Sequence, residues 1–443
     1  MFTVEKARKY VSDALKEIQK RDLIYHAIGH GWTCEPFGIQ GLGWDKVDCN
    51  ISSDIEQYLA EVGGKRDLFK GVPLDTNLCY SNKKARKIMI KSVVEYLKEH
   101  DYIDVLHFWL ADFWNNHCEC DECQKKRPSD YYVILLNELD KMLTSVNINT
   151  KVVFLVYADL LWAPETESID NPDRFILMFA PITREYTRGF DPDKKLGKTP
   201  SYIRNKLSLP ESVEENLAFL KDWQKVFNGD SFDFDYHLYC EHYKDSAMMQ
   251  LSKVLYSDIT NLNNIGLDGY ISCQVQRMFF PSGLSMHILG KTLWNKDIDY
   301  EAIITDYFIS SFGTDGIECI RYLNQLSSLF YLLFHNNGTK CNDELENSYR
   351  KIGELVNTFT DIVDRNLHPK DNCHFLSWKY LKIHMKICLL LSNALFKKAL
   401  GEKKVAKLLW IDVKDYVCAI EDEIQPVFDL YKFFENIENI FKN

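Results

Sequence analysis

Four residues within one short stretch could do chemistry together. In LHFWLADFWNNHCECDEC, residues 106–123, an apolar run ends at Asp112, and a C-x-C-x2-C group follows at Cys118, Cys120 and Cys123. The run from Val105 to Leu110 is short and continuous, as a buried strand is. A carboxylate at the C-terminal end of a strand is where a barrel enzyme places its acids and bases. Thiols this closely spaced read as soft-metal ligands, with His117 a candidate fourth ligand. An iron–sulfur centre is the alternative to zinc, although ferredoxin spacings do not match. The plainer readings are a turn-capping Asp and thiols that are bystanders in a chain with thirteen Cys.

Other apolar segments also end in polar or aromatic residues. His30 and Trp32 close LIYHAIGHGW; Asp159 and Trp162 follow KVVFLV; Arg184 and Glu185 follow RFILMFAPI. Asp235, Tyr236 and His237 lie in SFDFDYHLY, and Gln274 ends LDGYISCQV. Cleaving a glycosidic bond needs a proton donor and a second carboxylate. Asp112 is the first choice for the donor, with Asp235 ahead of Glu185 as its partner. Strand alternation puts Asp233 and Asp235 on one face. Glu185 could instead pair with Arg184 or Arg188. Arg184 suits a sugar carboxylate, which a guanidinium binds through two parallel hydrogen bonds. His30, Tyr236 and His237 could bind hydroxyls, with Asp159 and Gln274 as further polar contacts. Trp32 and Trp162 could stack on a ring. A lone His or Trp is more often packing, so only the set carries weight.

The elements that must hold these residues follow an alternating rhythm. Strands are expected at 22–30, 105–111, 151–159, 174–182, 231–239 and 267–275, with residues 74–80 a candidate seventh. Helices fall between them, including one at 129–146 capped by Ser129. Apolar strands alternating with helices imply a parallel sheet covered on both faces. A doubly wound sheet would show a Gly-rich phosphate turn after its first strand, and none is present. The expected fold is therefore a (β/α)8 TIM-type barrel over residues 1–312, lacking its first strands and open between its first and last. Residues 33–75, the C-terminal helices or a partner chain would cover the gap, the partner being a second copy or a companion protein. Residues 313–443 carry only helical patterns, about four helices, such as the stripe Ile352, Leu355, Val356, Phe359, Ile362 and Val363.

Composition narrows the function. A net charge of −11 without a Lys/Arg block argues against nucleic acid or an anionic membrane as partner. The chain opens on a charged amphipathic helix rather than a signal peptide, and no apolar stretch is long enough to span a bilayer. Scattered cysteines fit a reducing cytoplasm. An aromatic content of 13% suits core filling, with a surplus for stacking on sugar faces.

The run from GHGWTCEPFG through LCYSN and the Asp-to-Cys segment to FAPITREY and DFDYHLY resembles an uncharacterised bacterial domain-of-unknown-function family. That family is related to glycoside hydrolases and likened to α-glucuronidases. The resemblance spans roughly residues 20–312 and implies a carbohydrate substrate. Its members usually carry two further barrel strands before this part. The cysteines are also similar to those of glycoside hydrolase family 42 β-galactosidases, where one upstream Cys joins a C-x-C-x2-C group to bind structural zinc. That resemblance implies a Zn2+ set of Cys79, Cys118, Cys120 and Cys123, with the acid/base residue near Asp112. Here an Asp stands where that family has an Asn-Glu pair, and the spacer is shorter. Two other classes stay open: a carbohydrate-binding or scaffold protein on an incomplete barrel, and a zinc-dependent hydrolase of another kind.

Overall fold

A computed structural model describes residues 4–41, 43–48, 51–334, 342–368 and 371–442. Its strands are β1 (His26–Ala27), β2 (Glu61–Val62), β3 (Lys65–Arg66), β4 (Val105–His107), β5 (Lys151–Val156), β6 (Phe175–Phe179), β7 (Asp230–Asp235) and β8 (Gly269–Ser272). β2 and β3 form a separate antiparallel hairpin. The other six make one sheet in the order β1-β4-β5-β6-β7-β8. The pairs from β1 to β7 are all parallel, with Val105 opposite Lys151 and Val152 opposite Phe175.

This order follows the chain, each strand beside the next. Such single winding builds a barrel; a doubly wound sheet reverses partway. β1 and β8 stand at the two ends and do not pair with each other, so the sheet is an incomplete barrel of six strands. The strand expected at 74–80 is absent from it: Leu78 makes only an isolated antiparallel bridge to Leu59. Residues 33–75 supply the hairpin and short helical turns but no strand of this sheet.

Local sequence explains the supports. β5 and β6 are buried at almost every position, as strands covered on both faces must be. The helix Lys83–Glu99 starts where Asn82 Oδ1 accepts from the backbone N–H of Lys84 and Ala85, and it buries Ala85, Met89, Val93 and Leu97 along one face. It packs against the helix Pro128–Ser145. Ser129, expected as the cap of that second helix, lies inside it. Pro128 opens the helix, and Asp130 closes its end by accepting from Arg127 N.

Compact packing divides the chain into two units. One comprises residues 1–184, 194–233 and 266–269; the other comprises 185–193, 234–265 and 270–443. The second is built largely of helices, and its stretch 313–443, where about four were expected, holds among the described residues Gly316–Phe334, Asn342–Arg365, Asn372–Ala399, Lys403–Ala419 and Leu430–Lys442, with a short turn at Glu421–Ile424. That is one long helix more than the sequence pattern suggests. Ile352, Val356, Phe359 and Val363 are buried in its core with Trp378, Leu381 and Phe330. Among the described residues no helix is long and apolar enough to cross a membrane.

Candidate functional site

The loop after β4 carries both the thiols and Asp112. Glu119 N donates to Glu61 O (2.7 Å), tying the cysteine segment to the hairpin. Cys79 N donates to Tyr58 O (2.8 Å), which brings the upstream cysteine to the same place. Cys79, Cys118, Cys120 and Cys123 gather their sulfurs within 4.8 Å of one another. Cys79 Sγ lies 3.7 Å from Cys120 Sγ and 3.8 Å from Cys123 Sγ. A tetrahedral ion with Zn–S bonds of ~2.3 Å holds its sulfurs about 3.8 Å apart. Donor type, number and spacing thus fit one closed, four-coordinate soft metal ion.

The surroundings favour thiolate. Arg66 Nη1 donates to Cys118 Sγ at 3.9 Å, as does Glu61 N at 3.3 Å. Hydrogen bonds from the Cys118 and Cys123 thiols hold Cys79 well below the ordinary thiol range, and the bonds with Cys118 and Cys79 push Cys123 well above it. His117 is not in the set: its ring is buried near Tyr80, and its backbone N–H donates to Asn205 Oδ1 (3.0 Å).

Asp112 sits half-buried just past the end of β4. Its Oδ1 accepts from Tyr157 O–H (2.9 Å) and Phe113 N (2.7 Å), and its Oδ2 accepts from Trp44 Nε1 (2.9 Å). The two N–H groups can only donate, so they suit an ionised carboxylate. Phe113 and Asn115 hold positive φ (70° and 58°), as does Ala158 (52°) before Asp159. Left-handed backbone at non-glycine residues is held only where surrounding contacts impose it, often at working sites. Trp44 is 59% exposed and Trp114, stacked on Phe113, is 37% exposed. The Trp44 indole is open beside the carboxylate and no sequence pattern singled it out, whereas Trp114 lies in the stretch that the sequence marks around Asp112.

The other expected residues of this unit are more enclosed. His30 contacts Leu110 O through Nδ1 (2.9 Å) and meets Trp109 edge-on. With Trp32 it lines a cavity of about 240 Å³ that also includes Glu35, Tyr96 and His107. Trp32 Nε1 donates to His107 O (3.3 Å). Trp162 is buried against Phe219 and donates to Pro200 O (2.7 Å). Asp159 is buried and accepts from Asn115 N (2.9 Å); burial pushes its carboxyl up to about 6. Arg184 is buried as well.

In the second unit Asp235 and His237 are fully buried in a polar network with Asp258, a residue sequence reasoning missed because it lies mid-helix in Met249–Ile265. His237 Nε2 lies 2.7 Å from Asp258 Oδ2, and His237 Nδ1 lies 3.2 Å from Tyr270 OH and 3.7 Å from Asp235 Oδ2. Tyr186 O–H donates to Asp235 Oδ1, as does Tyr236 N (2.7 Å). Glu185 pairs with Arg188, whose Nη2 donates to Glu185 Oε1 at 2.7 Å. Gln274 is half-buried beyond β8.

Residues 56–325 match the family model described as a domain of unknown function, DUF4838. No functionally curated protein matches. Among solved structures, an O-GlcNAc hydrolase of Thermobaculum terrenum is similar at 10% identity and TM-score 0.40, over 82% of this chain and 76% of that one. A GH138 enzyme targeting pectin rhamnogalacturonan II is similar at 8% identity and TM-score 0.27, over 79% of this chain and 73% of that one.

Proposed function

The chain belongs to the DUF4838 family, and from that premise we propose that it is a glycoside hydrolase-like protein acting on an oligosaccharide, with residues 1–312 carrying the chemistry and 313–443 a helical domain. The observation that carries this reading is Asp112. It stands on the loop a few residues beyond a parallel strand, fixed by Trp44 and Tyr157, with the exposed Trp44 indole alongside. Uronic-acid units are the substrate class to test first. Zinc in the four-thiol set is structural, because four thiolates leave no open position for substrate. For the same reason a zinc-dependent hydrolase of another class is the weaker reading. The protein works in the cytoplasm, where reduced thiols persist.

The test is an assay of the metal-loaded chain against aryl glycosides and aryl uronides. Asp112→Asn is expected to cut turnover about 10²–10⁴-fold, the usual worth of an acid–base group, with circular dichroism unchanged. An unchanged rate eliminates Asp112. The six-strand sheet favours one second reading, a carbohydrate-binding scaffold completed at its open edge by another copy or a companion chain. Calorimetric binding of an oligosaccharide without turnover would favour that reading.

A further inference from the structure

One carboxyl group that no sequence pattern selected lies against the Asp112 loop. Asp112 N donates to Leu74 O (2.8 Å), so the backbone at Asp112 abuts the backbone just before Asp75. A single buried amide then clamps the two segments: Asn116 Nδ2 donates to Asp75 O (2.7 Å) and to Asp112 O (2.6 Å). Asn116 is itself oriented by Asn77 Nδ2, which donates to its Oδ1 (2.9 Å). The Asp75 side chain is only 7% exposed, and its Oδ1 has no hydrogen-bond partner among the described residues. A buried carboxylate oxygen without a donor is costly, whereas a protonated carboxyl tolerates the same place.

We propose that Asp75 is the catalytic acid of this site, holding a proton beside the ionised Asp112 and delivering it to the leaving glycosidic oxygen. The inference rests on the glycosidase reading and revises the expectation that Asp112 is the donor. Asp112 is supplied with N–H donors; Asp75 Oδ1 has none. Burial first, and then the Asp112 charge, push the Asp75 carboxyl up to about 6, against the opposing pull of Lys70. Two carboxyls whose surroundings differ in this way divide into acid and base. In the step, the bond from the anomeric carbon to the leaving oxygen breaks, and its electron pair stays on that oxygen, which takes the Asp75 proton. Water adds to the anomeric carbon and gives its proton to Asp112. Solvent then returns a proton to Asp75 and removes one from Asp112.

Two measurements test this. Infrared difference spectra of wild type against Asp75→Asn should show a protonated-carboxyl band that disappears as pH rises through about 6. In Asp112→Asn, where Asp75 is intact, that band should vanish at lower pH, because the neighbouring charge is gone. Kinetically, Asp75→Asn should lose about 10²-fold or more on alkyl glycosides and far less on dinitrophenyl glycosides, whose leaving groups need little protonation. A merely structural role would lower both alike. An absent band, a band unmoved by Asp112→Asn, or equal losses on both substrates would overturn the assignment. A coupled band in a protein that cleaves no glycoside would instead bring down the glycosidase reading, and the acid role with it.

Discussion

Asp112 lies just past the end of β4, and Asp235 ends β7 of the same parallel sheet. Both stand where a barrel places its catalytic carboxylates, and their surroundings could hardly differ more. Asp112 is half-buried, beside the exposed Trp44 indole, on a loop with left-handed residues that the thiol set anchors a few residues further on. Asp235 has no exposed surface and is held by Tyr186, Tyr236 N and the His237–Asp258 pair. Asp235 spends its acceptors on neighbours inside the fold, whereas Asp112 has an exposed indole bonded to it. Position on a strand therefore nominates candidates, and access with partner type decides between them.

A metal held by the four thiols would tie the order of the Asp112 loop to that ion. Stripping the metal with a chelator, or making Cys118→Ser, should abolish activity. Hydrogen exchange should rise across residues 112–123 while protection of helix Met249–Ile265 is kept. Structural zinc sites contribute apparent binding free energies of about 10–16 kcal/mol, so this is the largest effect expected. Equal loss of protection in both regions would break the comparison.

The second contrast is stability against turnover. Asp235→Ala takes from Tyr186 O–H the acceptor it bonds here, while Tyr236 N keeps Tyr186 OH (3.2 Å). Each buried donor left unsatisfied costs about 1–3 kcal/mol. Denaturant melts should show that loss, with kcat per folded molecule little changed. A fully stable variant with no turnover would return Asp235 to the catalytic list.

Much of the framework was readable from sequence because burial leaves a periodic trace. Every strand of the sheet overlaps an expected segment, β7 starting one residue before its own, and the expected segments ran longer than the paired residues. β1, for instance, pairs only His26 and Ala27 within 22–30. The ladder stops at both ends where the backbone turns, with positive φ at Asp22 and Gly29. Residues 74–80 read as a strand for a related reason: Leu74 and Leu78 are buried, but by loop packing rather than a ladder. The thiols were legible because metal ligands need fixed spacing. Asp75, Trp44, Asn116 and Asp258 were not, because each acts through a partner distant in the chain. Nothing local to DTN or FGIQGLGWD separates a proton-holding Asp or an exposed indole from ordinary loop residues.

A third strand-end carboxylate lies between the two extremes and offers the finest test. Asp159 follows β5, is 1% exposed like Asp235, yet hydrogen-bonds to Asn115 N on the Asp112 loop. Burial raises its carboxyl to about 6 in the folded protein, opposed mainly by that backbone bond and by Arg204. An unfolded Asp titrates near ~4. Between about pH 4 and about pH 6 the folded state binds the proton more tightly, so its stability contribution falls as pH rises. The contribution is fully present below the unfolded value and lost above the folded one. Asp159→Asn has no such ionisation and keeps an oxygen to accept from Asn115. The variant should therefore gain stability relative to wild type as pH rises through that window, by roughly 3 kcal/mol at neutral pH. Thermal melts of both proteins on either side of the window measure it. A difference independent of pH would mean that Asp159 is ionised in the folded protein across that window rather than buried as a neutral acid.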